Sequence, residues 1–257
     1  MRSIQLSAAV ITASFFLTLS GAQSATPSDA ESPHAPKSSS SSTVQNATAF
    51  DLLVGAAEAG NVDAMNLLGV LYTVGTQVPR DYSLAIRWFQ KAADGGSPAA
   101  MSNLATLHLF GIGTSRDHAT ALRWFARAAE LGDVHSMYSV GVMAEKGLGT
   151  PRDLQRARSM YLKAAEAGYA PAMVWVSDDC AGGSSAKHDL IEAYAWLQVA
   201  LASDLPEEMQ IATLSRMEHL EARLGPKQRD EAHARAARLT ALVTTLKVPE
   251  GQAPIRM

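Results

Sequence analysis

Residues 85–96 read AIRWFQKAADGG, and residues 121–132 read ALRWFARAAELG. The frame returns at 157–168 as ARSMYLKAAEAG and at 193–204 as AYAWLQVALASD, so Trp88, Trp124, Met160 and Trp196 fall in step at 36 residues. Working outward, Gly60, Gly96, Gly132 and Gly168 keep the same step, as do Asp81, Asp117, Asp153 and Asp189. Self-similarity at this period on helix-forming sequence predicts a solenoid of helical hairpins, in which each unit buries its apolar face against the next.

Local signals divide each unit into two helices. Asn61, Ser97 and Asp133 follow the boundary glycines, and their side-chain oxygens can accept from the free N–H groups of a first turn; Tyr169 in the fourth unit cannot. Pro98 follows Ser97, where the missing N–H costs nothing. The first helix is expected to run to Gly75, Gly111, Gly147 or Gly183, where glycine can take the left-handed conformation. The four aspartates cap the second helix and place negative charge at the positive end of its dipole. Within that helix Leu84, Ala85, Trp88, Phe89 and Ala92 form a buried stripe. Small residues also keep step, at Gly69, Ala105, Gly141 and Ser177 and at Ala85, Ala121, Ala157 and Ala193. They let paired helices approach closely, leaving the large rings to fill space at repeat junctions. On this reading Trp124→Ala opens a void there and costs about 3 to 5 kcal/mol.

The pattern Ala-Met-x-x-Leu-Gly-x-x-Tyr at Ala64 to Tyr72, the Gly-x-Gly turns at Gly111 to Gly113 and Gly147 to Gly149, and Ala-x-x-Trp-Phe-x-x-Ala-Ala-x-x-Gly at Ala85 to Gly96 together resemble the Sel-one-like repeat (SLR). That family is a branch of the tetratricopeptide-repeat superfamily. The resemblance implies an all-α, right-handed α-solenoid of four antiparallel helix pairs. It covers nearly all of Ala57 to Ser203. Gln77 and Ser185 stand where the second turn glycine is usual, and Asp179 where an apolar residue is usual, which predicts a frayed or irregular first helix in the fourth repeat.

The expected organisation is a signal peptide at 1–24, a disordered Ser/Pro-rich linker at 25–48, the repeat solenoid at 49–204, a C-terminal helical cap at 205–246 and a disordered tail at 247–257. Met1 to Ser24 has no acidic residue and an apolar run from Ala8 to Leu19 that is shorter than the ~20 residues of a membrane span. Small Ala22 and Ser24 precede Ala25, so cleavage between Ser24 and Ala25 and a secreted or periplasmic location are expected. If the segment is retained, it becomes a membrane tether. The linker, with its run Ser38 to Ser42, has too little apolar surface to offset ordering entropy. In the cap, Pro206 to Leu224 and Lys227 to Leu246 read as helices split by Gly225-Pro226; Leu220 to Ala237 is similar to C-terminal caps of bacterial SLR proteins.

Chemistry is sparse. Lys plus Arg total 22 against 25 Asp plus Glu, without a basic cluster, which disfavours nucleic acid. Cys180 is the only cysteine; beside Asp178 and Asp179, with His188 a loop away, it is read as a packing residue rather than a nucleophile. Ser184-Ser185-Ala186-Lys187 fits Ser-x-x-Lys, but Ser-Asp-Asn and Lys-Thr-Gly are missing, and the cysteine pairs of the SLR branch associated with β-lactams are missing too. The seven histidines, His34, His108, His118, His135, His188, His219 and His233, include no pair at the three- or four-residue spacing of metal ligands on one helix face. No catalytic residue, cofactor or metal is assigned.

What remains is a surface. The resemblance implies that first helices line the concave side, placing there Asn66, Val70 and Thr73, then Ser102, Thr106 and Leu109, then Tyr138, Val142 and Glu145, and finally Val174 and Asp178. These could grip an extended peptide or a partner helix. The expected function is a protein-binding adaptor of the bacterial cell envelope, in a regulatory or assembly role, with a partner of unknown identity. An envelope hydrolase acting on β-lactams or peptidoglycan and a membrane-tethered assembly factor are the alternatives. Tyr138→Ala is expected to weaken partner capture while leaving the melting temperature nearly unchanged.

Overall fold

The computed structural model describes residues 48–182 and 189–247, with side chains as far as Thr244. Among these residues every regular element is an α-helix. The expected signal peptide and all of the linker but Thr48, together with the tail beyond Lys247 and residues 183–188, lie outside them.

Four hairpins follow one another: α2 (Val62–Val74) with α3 (Tyr82–Asp94), α4 (Pro98–Phe110) with α5 (His118–Glu130), α6 (Val134–Lys146) with α7 (Leu154–Glu166), and α8 (Ala170–Gly182) with α9 (Leu190–Leu201). A helix precedes them, α1 (Ala49–Glu58), and two follow, α10 (Glu207–Glu221) and α11 (Pro226–Lys247). Stacked in sequence order, each packing against the next, the hairpins make an α-solenoid. Helix α1 keeps the step of the second helices, with Leu52 and Leu53 in register with Trp88 and Phe89, so it is half a repeat.

The capping signals operate as chemistry requires. Asn61, Ser97 and Asp133 accept from the N–H three residues on, at 2.9, 3.2 and 2.7 Å. Asp81, Asp117, Asp153 and Asp189 each do so at 2.9 Å. Hydrogen bonds from Thr120 hold the Asp117 carboxyl below the usual carboxylate range. Because its folded value is depressed, the stabilisation it gives is complete above the ordinary aspartate value and is lost as pH falls through the lower folded value.

Backbone bonds that no side chain announces close the units. The N–H of each capping aspartate donates back across its hairpin, Asp81 to Tyr72 O, Asp117 to His108 O, Asp153 to Ala144 O and Asp189 to Cys180 O, at 2.9 to 3.0 Å. The first helices end on left-handed Gly75, Gly111 and Gly147, at φ of 77, 70 and 69°. The second turn glycine has a steric reason. A Cβ on Gly113 would lie 2.2 Å from Tyr82 Cβ, and one on Gly149 would lie 2.4 Å from His118 O, so the turn presses on the start of the preceding repeat's second helix. Gln77 occupies that position in repeat one, where only the half repeat precedes it, and it is exposed.

The packing corrects the expectation about the rings. Phe89, Phe125 and Tyr161 are the buried rings of α3, α5 and α7 and sit on the small residues opposite, whereas in α9 Trp196, 2% exposed, is sealed as expected. A Cβ on Gly69 would come within 2.6 Å of the Phe89 ring, and one on Gly141 within 2.8 Å of the Tyr161 ring. Trp88 and Trp124 are half-buried. Trp88 packs on the cluster shared by α1 and α2 and Trp124 on the one that joins α3 to α4, and each is covered by a cation, Lys91 Nζ at 4.5 Å and the Arg127 guanidinium at 5.6 Å from the ring centre. Water already reaches these indoles, so deleting one removes less buried area than a sealed void requires. Trp124→Ala is therefore expected to cost about 2 kcal/mol and Phe125→Ala about 3 to 5, and chemical denaturation of both variants checks the order.

A second correction concerns repeat four. Helix α8 runs unbroken from Ala170 to Gly182, and Asp179, 6% exposed, is ion-paired with Arg158 of α7. The departure from the apolar pattern is met by a partner in the preceding repeat rather than by fraying.

Beyond repeat four, α9 is buried nearly all round, because α8, α10 and α11 all pack against it. Arg235 of α11 holds Asp189 at 3.1 Å and Glu192 at 2.8 Å, which ties α11 to the first turn of α9. Helix α11 begins at Pro226 itself and extends to Lys247.

Candidate interaction surface

The first helices α2, α4, α6 and α8 carry the residues expected to face a partner. Three register positions recur along them: Asn66, Ser102, Tyr138 and Val174; then Val70, Thr106, Val142 and Asp178; then Thr73, Leu109 and Glu145. Nine of the eleven are half-buried and Asp178 is exposed. Val174 is the correction. At 4% exposure it belongs to a core cluster that also contains Leu220 and Leu224, so it has no face to offer. The physical reason is the cap, whose α10 adds apolar side chains at the position another repeat would fill.

Several of these groups are already engaged inside the array. Thr73 Oγ1 donates to Gly69 O at 2.8 Å and Thr106 Oγ1 to Ser102 O at 2.9 Å, so each hydroxyl is spent on its own helix. Asn66 Oδ1 accepts from Asn103 Nδ2 at 3.0 Å, a bond between α2 and α4. Asp178 pairs with Arg216 of α10 at 3.2 Å. Val70, Leu109 and Val142 pack against core clusters along one edge. Ser102 and Thr106 keep partial exposure at the middle of the face.

In repeat three the face becomes aromatic. Tyr138 lies 5.2 Å from both the Tyr161 and Tyr169 ring centres, Tyr169 meets His135 at 4.8 Å, and Tyr161 meets Trp175 at 4.1 Å. Five rings thus form a continuous chain across α6, α7, the α7–α8 turn and α8. Tyr161 donates its hydroxyl to Glu145 at 2.8 Å. Burial, with the nearby Glu145 carboxylate, pushes the Tyr138 phenol up; burial pushes Tyr169 up to about 12. Tyr138 packs against two core clusters as well as facing outward, so Tyr138→Ala is now expected to lower the melting temperature, which thermal unfolding of the variant checks. Asn103 and Trp175 were not among the residues expected at this face; the 36-residue step marks their positions, but only the hydrogen bond to Asn66 and the ring contact with Tyr161 show that they join it, and Tyr161, 1% exposed, supports the face from beneath.

Cys180 is half-buried. Burial first, then the carboxylates of Glu192, Asp179 and Asp189, push its thiol up to about 11, with Arg158 opposing. The thiolate fraction at pH 8 is then roughly a hundredfold below that of an ordinary cysteine. Alkylation by iodoacetamide at pH 8 is expected to run at least about tenfold slower in the native protein than in denaturant, and to accelerate as pH rises toward that value. Equal rates in the two states would contradict the burial.

Ser184, Lys187 and His188 lie outside the described residues, as does His34. Among the described residues no group of three or more His, Cys, Asp or Glu side chains could hold a metal ion, and no helix is long and apolar enough to cross a membrane.

A solenoid of helical hairpins whose first helices present a mixed polar and aromatic face belongs to the class of helical-repeat proteins. The Sel1 repeat model matches residues 62–97, 98–133, 134–169 and 170–204, and the chain belongs to the Sel1 repeat family. Among solved structures it is similar to a protective antigen present in uropathogenic Escherichia coli strains that displays an SLR fold. The identity is 26% and the TM-score 0.65, over 81% of this chain and 45% of that one. The chain therefore spans less than half the length of that antigen. It is also similar to a Sel1 repeat protein from Oxalobacter formigenes, with 28% identity and a TM-score of 0.62 over 76% of this chain and 78% of that one. None of the curated proteins matches the sequence. Sel1 repeat proteins are in general protein-interaction scaffolds, and the repeat is a non-catalytic fold.

Proposed function

We propose that this protein is a secreted, periplasmic scaffold of the bacterial envelope that binds a protein segment along the first-helix face, in a regulatory or assembly role. The observation that carries the reading is the register of that face. Half-exposed amide, hydroxyl, aliphatic and aromatic groups repeat at one step along α2, α4 and α6, on backbone fixed by capped hairpins. A rigid, periodic surface suits an extended peptide or an amphipathic helix, because little ordering entropy remains to be lost by the scaffold on binding.

The envelope location rests on residues 1–24, with their apolar run and small residues before Ala25. N-terminal sequencing of the protein from a periplasmic fraction is expected to begin at Ala25; retention of Met1 would instead favour a membrane-tethered factor.

The surface is tested by placing a photo-cross-linking amino acid at Ser102 or Thr106 on the first helices and at Arg87 or Arg123 on the second, all of them accessible. Capture of one discrete partner in intact cells is expected from the first pair and not from the second. Capture from Arg87 and Arg123 alone would move the interface to the opposite face.

A further inference from the structure

Three residues break the repeat pattern at one place on the first-helix face. Tyr138 stands where repeats one and two have Asn66 and Ser102, and Trp175 where the first three repeats have Leu67, Asn103 and Ser139. Tyr169 stands where Asn61, Ser97 and Asp133 cap the other first helices. Its side chain is too long to accept from the N–H groups of its own first turn, so α8 gives up a hydrogen bond that its three counterparts keep. Departures from the local rules of a fold concentrate at functional sites, and here they gather three large rings into one cluster founded on the buried Tyr161.

The polar tips of these rings have nothing to bind within the array. The Tyr138 and Tyr169 hydroxyls and the Trp175 indole N–H have no hydrogen-bond partner among the described residues, and none of the three is sealed from water. The rings themselves are half-buried, and His135, against Tyr169, is exposed. The cluster thus presents ring edges and faces together with outward donors. Glu145 borders it, accepting from Tyr161 at 2.8 Å. Its carboxylate is half-exposed and has no ion pair among the described residues, since Arg152 bonds the main-chain oxygen of Glu145 instead.

We infer that this cluster binds a proline-rich segment of a partner polypeptide, with a Lys or Arg of that segment meeting Glu145. The inference rests on the reading of the first-helix face as a protein-binding surface and names the chemistry of the partner. Proline has no N–H to satisfy but keeps its carbonyl oxygen, which suits a face whose free tips can donate. Its apolar ring packs on tyrosine and tryptophan, whose polar ends stay wet. A proline-rich segment is already extended before it binds, so it loses little entropy on a surface that encloses it only in part. The unpaired carboxylate selects for positive charge on the same segment.

The test is calorimetric titration of the full chain with three acetylated, amidated peptides: hexaproline followed by Lys, hexaproline followed by Glu, and Gly-Ser-Gly-Ser-Gly-Ser followed by Lys. The first is expected to bind, the second to bind at least about threefold more weakly, and the third at least about tenfold more weakly. Tyr169→Ser restores the capping residue of repeat two and removes a ring, so it is expected to lower affinity for the first peptide about tenfold or more while circular dichroism shows the chain still helical. Tyr138→Phe keeps the ring and loses the donor, for which about threefold or more is expected. Arg87→Gln, on a second helix, leaves the affinity unchanged. The inference is overturned by no binding of the Lys-ended hexaproline at millimolar concentration, by equal binding of either other peptide, or by unchanged affinity in Tyr169→Ser; if that variant does not fold, unchanged affinity in Tyr138→Phe overturns it. In each of those cases capture of a partner from Ser102 or Thr106 would still uphold the scaffold reading, so the two failures are separable.

Discussion

Replacing Tyr161 by alanine is expected to lower stability by about 3 to 5 kcal/mol, the full cost of emptying a large buried ring site. Tyr161 is 1% exposed, and it does more than fill space. Its ring lies on Gly141 and links Tyr138 to Trp175, so its loss unseats side chains on α6 and α8 together. Tyr161→Phe keeps the ring and loses only the hydrogen bond to Glu145, whose half-exposed carboxylate can turn to water, so about 1 kcal/mol is expected. Urea unfolding of the two variants measures the separation. If they were equally unstable, the hydroxyl and not the ring would be the main contribution, and the aromatic chain would lose its structural role.

The Arg158 and Asp179 pair gives the second large effect. In the other repeats the positions in register are apolar, Leu71, Leu107 and Met143 against Asp179, and Ile86 and Leu122 against Arg158. Repeat four therefore replaces an apolar contact with an ion pair at the α7–α8 junction. Removing one partner of a buried pair typically costs about 3 to 5 kcal/mol. Asp179 takes part in a further interaction and Arg158 is partly exposed, so Arg158→Met is expected to cost about 2 to 3 kcal/mol. The double variant Arg158→Met with Asp179→Leu rebuilds the apolar contact of the earlier repeats and is expected to recover most of the loss. A double variant as unstable as the single one would show that the junction tolerates no apolar pair, and that the ion pair answers to something other than packing.

The hairpins were legible because their signals are local. An aspartate three residues before a free N–H, or a glycine that alone accepts a left-handed turn, acts within one turn of chain, and 36-residue repetition multiplies each signal by four. The second turn glycines were legible as a motif but not as a cause, since Tyr82 and His118 lie one repeat away from them. The first-helix face was legible as a set of register positions. Its state of engagement was not, because the bonds from Thr73, Thr106 and Asn103 depend on rotamers that spacing does not encode. Val174 kept the register of its neighbours and still lost its exposure, because apolar residues of the cap join its cluster from outside the period.

The amino-acid sequence by itself determined the class of fold, the hairpin boundaries and the step of the repeat, since these follow from capping chemistry and apolar periodicity acting over a few residues. Tertiary structure alone decided which rings are sealed and which are half wet, how Asp179 is accommodated, and why Val174 is covered. Each of those outcomes depends on groups at least a helix apart in the chain, brought together only when repeats and cap pack.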